Sequence, residues 1–319
     1  MASLTLSIGC LFSDRIEALL DERVRIGEHA AQIHIVEAQQ LFRMVLRDAA
    51  YDVAELSMAS HIAAVARGRR DYVGIPVFLS RSFRHSNLYV RTDRGIAGPG
   101  DLADRTIGVI DFQQTAAFWV RGLLAEDHAV ARTGVRWIAA GLHQPVLQDR
   151  APVTVADGIR LERSPATLDA LLRDGAIDAV ISPTAPRCFG EADVPVARLW
   201  SDPAEHERGW WQRTGIFPIM HVLVVRRALA EACPALPGLL YNAFEEARRL
   251  AAMDIATRDF PKIALPWLAS HAATVRQTLG GDPWTYGIEA NRATLEAMLR
   301  YAAADGMCDH SMTIDALFS

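Results

Sequence analysis

Short apolar strands alternating with helical stretches, broken off and later resumed, constrain this chain more than any single residue does. Leu4 to Gly9, Gln32 to Val36 and Tyr51 to Leu56 read as strands. Between them Ser13 to Leu20 reads as a helix or turn, and Ala38 to Ala50 carries Leu41, Met44 and Val45 at helical spacing. Ile62 to Arg67 looks helical after Ser57-Met58-Ala59-Ser60. Tyr72 to Phe78 is a further strand, whose proline favours an edge or a bend. Strands separated by helices predict an α/β sheet, mostly parallel.

A second block keeps the same rhythm. Asn87 to Arg91 is extended, Thr92 to Gly95 is a turn, and Arg105 to Ile110 is a strand that leads into a helix over Gln114 to Glu126. Leu168 to Arg173 is helical and Ile177 to Ile181 is a strand. A strand returns at Phe217 to Val225, followed by helices over Ala243 to Met253, Leu265 to Leu279 and Glu289 to Ala303. This layout predicts two lobes: residues 1–92 with 218–319, and an inserted second lobe of residues 93–217. Two crossings are expected, near Arg91 to Gly95 and near Thr214 to Met220. Such lobes leave a ligand cleft at the carboxyl ends of the strands and a hinge at the crossings. The architecture resembles that of type II periplasmic binding proteins.

Composition limits the partners. Among 319 residues, Lys plus Arg is 33 and Asp plus Glu is 38, a formal charge of -5, which excludes a wholesale basic footprint for nucleic acid. Lys262 is the only lysine, so nearly every cation is an arginine, whose planar fork grips carboxylates. High genomic GC content would give the same bias. No run approaches the ~20 apolar residues of a membrane helix, and the first residues carry no basic leader with a long apolar core. Cys10, Cys188, Cys233 and Cys308 are far apart with no CxxC pair, which suggests reduced thiols rather than a disulfide framework or zinc site. The expectation is a soluble, cytoplasmic protein with no nucleic-acid or membrane partner.

Several strings resemble the 4,5-dihydroxyphthalate decarboxylase family. They are Tyr51-Asp52-Val53-Ala54-Glu55-Leu56-Ser57, Ile75-Pro76-Val77-Phe78 with Ser80-Arg81-Ser82-Phe83-Arg84-His85-Ser86, and Tyr89-Val90-Arg91-Thr92-Asp93. Thr115-Ala116-Ala117 with Trp119-Val120-Arg121-Gly122, and Thr214-Gly215-Ile216-Phe217-Pro218-Ile219-Met220-His221, are similar too. So are Asp282-Pro283-Trp284, Tyr286-Gly287 and Asn291-Arg292, and the similarity extends to Leu317-Phe318. The resemblance implies a periplasmic-binding-protein-like fold used as a cytoplasmic, non-oxidative decarboxylase. Its substrate would be 4,5-dihydroxyphthalate and its products 3,4-dihydroxybenzoate and carbon dioxide. The loop Ala140 to Gly158 departs from the family pattern, and where it borders the cleft it would alter specificity. The competing reading is a non-catalytic solute-binding or sensing protein for an aromatic or related carboxylate.

Decarboxylating an aromatic ring directly would leave an aryl carbanion. A hydroxyl para to the leaving carboxylate offers another route, in which the ring carbon is protonated first and carbon dioxide leaves from a dienone-like species. That chemistry needs a general acid, a partner for the developing phenolate or ketone, and a clamp for the carboxylate that stays. It requires neither a redox cofactor nor pyridoxal phosphate. A divalent metal holding the adjacent ring oxygens stays open, although no HxH or HExxH spacing is present.

Histidine is the natural acid near neutral pH, and His85 and His221 lie in the two most specific strings. His61 reads as structural. Glu55, an acid in an apolar strand, is either a proton relay or an ion-pair partner. Arg81 and Arg84 are candidate clamps, one facing the cleft and the other solvent or an acid. Arg187, after the Ile177 strand, is a further candidate contact, whereas Arg121 packs or salt-bridges elsewhere. Thr115 stands where a helix N-terminus would welcome a carboxylate or need a cap, with Gln113 and Gln114 beside it to read a phenol. Ser57 plays the same part in the first lobe and Ser60 reads as a cap. Trp119, Phe83 and Phe217 are either core or an apolar wall for the ring. A homo-oligomer through the C-terminal helices is left open.

Overall fold

The computed structural model describes residues 3–146, 152–257 and 259–319. The first lobe follows the expected alternation: β1 (Thr5–Cys10), α1 (Asp14–Leu20), β2 (Ala30–Ile35), α2 (Ala38–Asp48), β3 (Val53–Ser57), α3 (Met58–Ala66) and β4 (Tyr72–Arg81). Local chemistry sets the boundaries. Glu37 caps α2 by accepting from the Gln39 and Gln40 amides, Ala49 ends it in the left-handed region, and Leu41, Phe42 and Val45 form its buried face. β3 is buried on both faces, and Ser57 is both its last residue and the N-cap of α3. No loop intervenes.

A 3-10 turn over His85–Asn87 leads to β5 (Leu88–Arg91). There follow β6 (Thr106–Val109), α4 (Thr115–His128), β7 (Arg136–Ala139), β8 (Arg160–Arg163), α5 (Leu168–Arg173), β9 (Ala179–Ile181), β10 (Val196–Arg198) and α6 (Pro203–Thr214). The chain then returns through β11 (Ile219–Arg226) and ends in α7 (Arg227–Ala232), α8 (Leu236–Ala256), α9 (Leu268–Thr278) and α10 (Arg292–Asp305).

The strands form two mixed sheets, in the orders β2-β1-β3-β11-β4 and β10-β5-β9-β6-β7-β8. Within the first, β1 is parallel to β2 and β3, while the returning β11 runs antiparallel to β3 and β4. In the second, β6, β7, β8 and β9 are parallel and β5 and β10 pair antiparallel. Pro76 lies in β4, an edge strand as its proline predicts, and the β4–β11 ladder shifts register on either side of His221.

One expectation moves. β5 pairs with β9 and β10, so the chain changes sheets between Arg81 and Leu88 rather than at Arg91 to Gly95, and residues 88–92 belong with the second sheet. The turn expected at Thr92 to Gly95 is present, with Gly95 at φ 66°. The second crossing falls within Thr214 to Met220, where Gly215 at φ 65° ends α6.

Ten consecutive residues of α4, Thr115 to Leu124, are buried, which marks a helix enclosed on all sides. It lies between the lobes, and one hydrophobic core runs from the first sheet across it to Ile107, Val109 and Ile181 of the second. A Cβ at Gly122 would sit 2.0 Å from the Tyr301 ring, so only glycine lets α10 pack this closely. Among the described residues, no helix is long and apolar enough to cross a membrane.

Candidate active site

β3 and β11 are in direct register, with His221 opposite Ser57 and Leu223 opposite Glu55. Side chains alternate along a strand, so Glu55, Ser57 and His221 share one face of the sheet. His221 Nδ1 and Glu55 Oε1 are 2.6 Å apart. The other Glu55 oxygen accepts from the Leu11 amide at 3.0 Å, which fixes the carboxylate from the end of β1. The edge of the Phe42 ring meets the imidazole, with centroids 4.9 Å apart and planes at 77°. Glu55 is 3% exposed, whereas the His221 side chain keeps 16% of its surface open. Two of the expected acid–base residues are thus a hydrogen-bonded pair, with Nε2 as the histidine's remaining nitrogen. The Cys10 thiol next to them is pushed well up by burial and by the Glu55 charge.

Alongside this pair, two helix N-termini meet across the lobes. Ser57 Oγ and Thr115 Oγ1 are 2.9 Å apart, and Thr115 Oγ1 also accepts from the Ala59 amide at 3.3 Å. A second-lobe hydroxyl therefore caps a first-lobe helix. Ser57 accepts from the Ser60 amide, so the capping residue is Ser57, and the buried Ser60 hydroxyl has no partner. Gln114 is the N-cap of α4 but its side chain makes no cap, and its buried Oε1 is unpartnered. Gln113 is engaged elsewhere, donating to the Pro152 carbonyl at 2.6 Å. Unpaired polar atoms at paired helix N-termini make an environment suited to an anion with further acceptors or donors.

The cations separate clearly. The Arg81 fork is occupied by protein: it donates to the Phe217 carbonyl at 3.1 Å, the Thr285 carbonyl at 2.8 Å and Asn291 Oδ1. It ties β4 to the second crossing and the C-terminal segment, and this corrects the expectation of Arg81 as a carboxylate clamp. Burial pushes its guanidinium down to about 9, with Tyr286 and Asp282 opposing. Arg84 touches the Met220 sulfur at 3.0 Å and has no ion-pair partner among the described residues. Burial pushes it down to about 10, with Glu207 opposing. Arg187 is exposed beyond the carboxyl end of β9. Arg121 pairs with Asp305 at 2.5 Å, away from the site, as its position on the helix suggests.

His85 is not beside the Glu55–His221 pair. Its ring packs edge-on against Trp200 and Trp210, at 5.1 and 5.9 Å, and its buried Nδ1 lacks a partner. The charged groups around it, His206, Asp127, His128 and Arg213, belong to α6 and the last turn of α4. That end of α4 is about 18 Å along the helix axis from Thr115. Burial pushes His85 down to about 4, so at neutral pH it is an uncharged hinge residue, and the expectation of a catalytic acid there is corrected. Trp119 is likewise core, 2% exposed, with its indole N–H donating to the Ile219 carbonyl at 2.9 Å. Phe217 is half-buried, tilted at 35° against Phe83 with centroids 4.8 Å apart and edge-on to Trp284. His61, read as structural, donates from Nε2 to the Leu317 carbonyl at 2.8 Å.

Sequence reasoning passed over three groups. Phe42 looks like any helix core residue, and nothing in its spacing signals that it abuts His221. The Leu11 amide is main chain and has no sequence signature. Asn87, 5% exposed with an unpartnered Nδ2, adjoins the FRHS string and its carbonyl accepts from Ser182 at the end of β9. Residues 147–151 of the divergent loop lie outside the described residues. Among the described residues no group of three His, Cys, Asp or Glu side chains is arranged to hold a metal ion.

The chain is 36% identical to a 4,5-dihydroxyphthalate decarboxylase of Comamonas testosteroni over all of its own length and 97% of that protein's. It is 35% identical to a 4,5-dihydroxyphthalate decarboxylase of Pseudomonas putida over 66% of its length and 83% of the relative's. Among solved structures it is similar to the alkanesulfonate-binding protein of Xanthomonas axonopodis pv. citri bound to MOPS. There the TM-score is 0.50 at 14% identity, covering 95% and 94% of the two chains. That likeness shows the periplasmic-binding-protein-like fold. No family model matches the chain.

Proposed function

This chain belongs to the 4,5-dihydroxyphthalate decarboxylase family, and we propose that Glu55 and His221 are the proton-transfer pair with which it converts 4,5-dihydroxyphthalate to 3,4-dihydroxybenzoate and carbon dioxide. It is a carboxy-lyase rather than a passive solute binder. The observation that carries the residue assignment is the 2.6 Å contact between His221 Nδ1 and a carboxylate itself fixed by the Leu11 amide. A carboxylate on Nδ1 orients the ring and stabilises the imidazolium, so the proton on Nε2 is the one available for transfer. His221 delivers it to the ring carbon bearing the leaving carboxylate. The para hydroxyl gives its proton to solvent as its lone pair enters the ring, forming a dienone. The carbon–carboxylate bond then breaks, its electron pair restores the aromatic ring, and the phenolate takes up a proton. One proton is consumed for each carbon dioxide released.

Ser57, Ser60, Thr115 and Gln114, with the two helix N-termini, support the carboxylate that stays, and Arg84 is its counter-charge. Phe217 faces the ring, and Arg187 attracts the dianion from outside the cleft. The scheme uses no redox cofactor, pyridoxal phosphate or metal, and its setting is the cytoplasm, where thiols stay reduced. The test is an anaerobic assay of chelator-treated protein with 4,5-dihydroxyphthalate, following 3,4-dihydroxybenzoate and carbon dioxide. Turnover supports the scheme. A saturable thermal shift without turnover, restored by a divalent metal or not at all, overturns it.

A further inference from the structure

β2 is the part of the first sheet that nothing covers. It pairs with β1 through all six residues, Ala30 to Ile35, and has no strand on its other side. Five of the six are exposed. Proteins usually guard such an edge with proline, lysine, a bulge or a covering loop. The sequence AAQIHI has neither proline nor lysine, and its register with β1 is unbroken. The ladder also fixes which main-chain groups are free. Ala30 donates to the Leu4 carbonyl and Val36 to the Cys10 carbonyl. Even-numbered residues therefore turn their peptide groups to β1, and Ala31, Ile33 and Ile35 turn theirs outward.

We propose that β2 pairs antiparallel with β2 of a second copy about a two-fold axis at Ile33, joining two five-stranded sheets into one of ten. Only odd-numbered residues offer outward groups, so the axis must pass through a residue and not between two. Axes at Gln32 and Ile33 both satisfy this, and the side chains choose. At Ile33, the Ile33 side chains of the two copies meet on one face, flanked by Ala31 opposite Ile35. Gln32 faces His34 on the other face. At the strand ends His29 faces Glu37 of the second copy. His29 Nδ1 accepts from the Leu4 amide, which leaves Nε2 to donate. The Glu37 cap uses only Oε2, which leaves Oε1 to accept. An axis at Gln32 would instead set His29 against Ile35 and Glu28 against Val36. The hydrogen-bond match between His29 and Glu37 favours Ile33.

The competing apolar surface is the α8–α9 connection, where Phe260 is 89% and Trp267 84% exposed. Sedimentation velocity of the full chain from low to high micromolar concentration separates the two. The wild type is expected to dimerise with concentration. Ala31→Pro removes an outward N–H that β1 does not use, and Ile35→Lys places a charge on the edge; both should be monomers that keep wild-type turnover. Circular dichroism checks that each variant folds, and Ile35→Lys decides alone if the proline variant does not. Antiparallel hydrogen-bonded partners stand about 5.5 Å apart at Cα, within disulfide reach. Oxidation should therefore cross-link Ile33→Cys to itself and leave Gln32→Cys uncross-linked. A wild type that stays monomeric, or a dimer that survives Ile35→Lys and is lost in Trp267→Ser, overturns the proposal. Cross-linking of Gln32→Cys alone overturns the axis.

Discussion

At the scale of single residues, His221 and His85 sit in comparable sequence contexts and receive opposite roles from their surroundings. His221 has a carboxylate on one nitrogen and open surface beside the other. His221→Ala is expected to lower kcat by about 10²- to 10⁴-fold, the range of general acid catalysis, with KM changed only a few-fold. Steady-state kinetics at neutral pH would reveal an error if kcat held. Glu55→Gln keeps the size but removes the charge that stabilises the imidazolium, and should reproduce most of that loss. His85, enclosed by Trp200 and Trp210, acts on stability instead. Above pH ~6.5 it is neutral in folded and unfolded chains alike. As pH falls the unfolded chain takes a proton that the folded chain refuses until about pH 4, so stability drops across that window. The full loss corresponds to about 3 kcal/mol. His85→Phe keeps a ring against the tryptophans and should flatten this part of the pH dependence, measured by urea unfolding at neutral and mildly acid pH. Equal slopes in variant and wild type would contradict it.

Elements decide which arginine meets the substrate. Arg81 and Arg84 are three residues apart, and their types and spacing leave both eligible as clamps. The deciding contacts are main-chain carbonyls of Phe217 and Thr285, contributed by segments remote in sequence and invisible to local patterning. Arg84→Ala should raise KM by about ten- to a hundredfold, as expected for loss of a charged hydrogen bond, with the melting temperature preserved. Arg81→Met should do the reverse, costing about 2–4 kcal/mol of stability through three lost hydrogen bonds. Paired kinetics and thermal melts of the two variants would refute the distinction if both behaved alike. Elements with strong periodicity were legible: β1, α2, β3 and the β3-to-α3 junction that presents Ser57 all follow from the sequence. Short mixed strands were not. β7 (Arg136–Ala139), β8 (Arg160–Arg163) and β10 (Val196–Arg198) draw their stability from partner strands, and three or four residues carry too little alternation to declare a sheet. Glu55 and His221 were each legible as acid–base candidates. Their pairing was not, because the two stand 166 positions apart and meet only through strand register.

For the whole molecule, the governing feature is that α4 binds the two lobes together at three levels. Thr115 caps α3, Trp119 holds the Ile219 carbonyl at the second crossing, and Arg121 reaches Asp305 at the end of α10. α10 itself packs on both α3 and α4, so the C-terminal region assigned by sequence to the first lobe in fact touches both. A two-lobed fold of this kind is expected to open at its crossings, yet here separation would break a continuous core as well as these bonds. Asp305 is the most sensitive point, because its carboxylate is fully buried and answers two arginines, Arg121 and Arg132. Asp305→Asn would take the shared ionic partner from the fully buried Arg121 and the mostly buried Arg132, and breaking a buried pair typically costs about 3–5 kcal/mol. If the lobes form one cooperative unit, that loss should appear as a single shifted transition, coincident by tryptophan fluorescence and by far-ultraviolet circular dichroism. Two separated transitions would show that the lobes unfold independently, and that the bonds along α4 do not carry the coupling assigned to them.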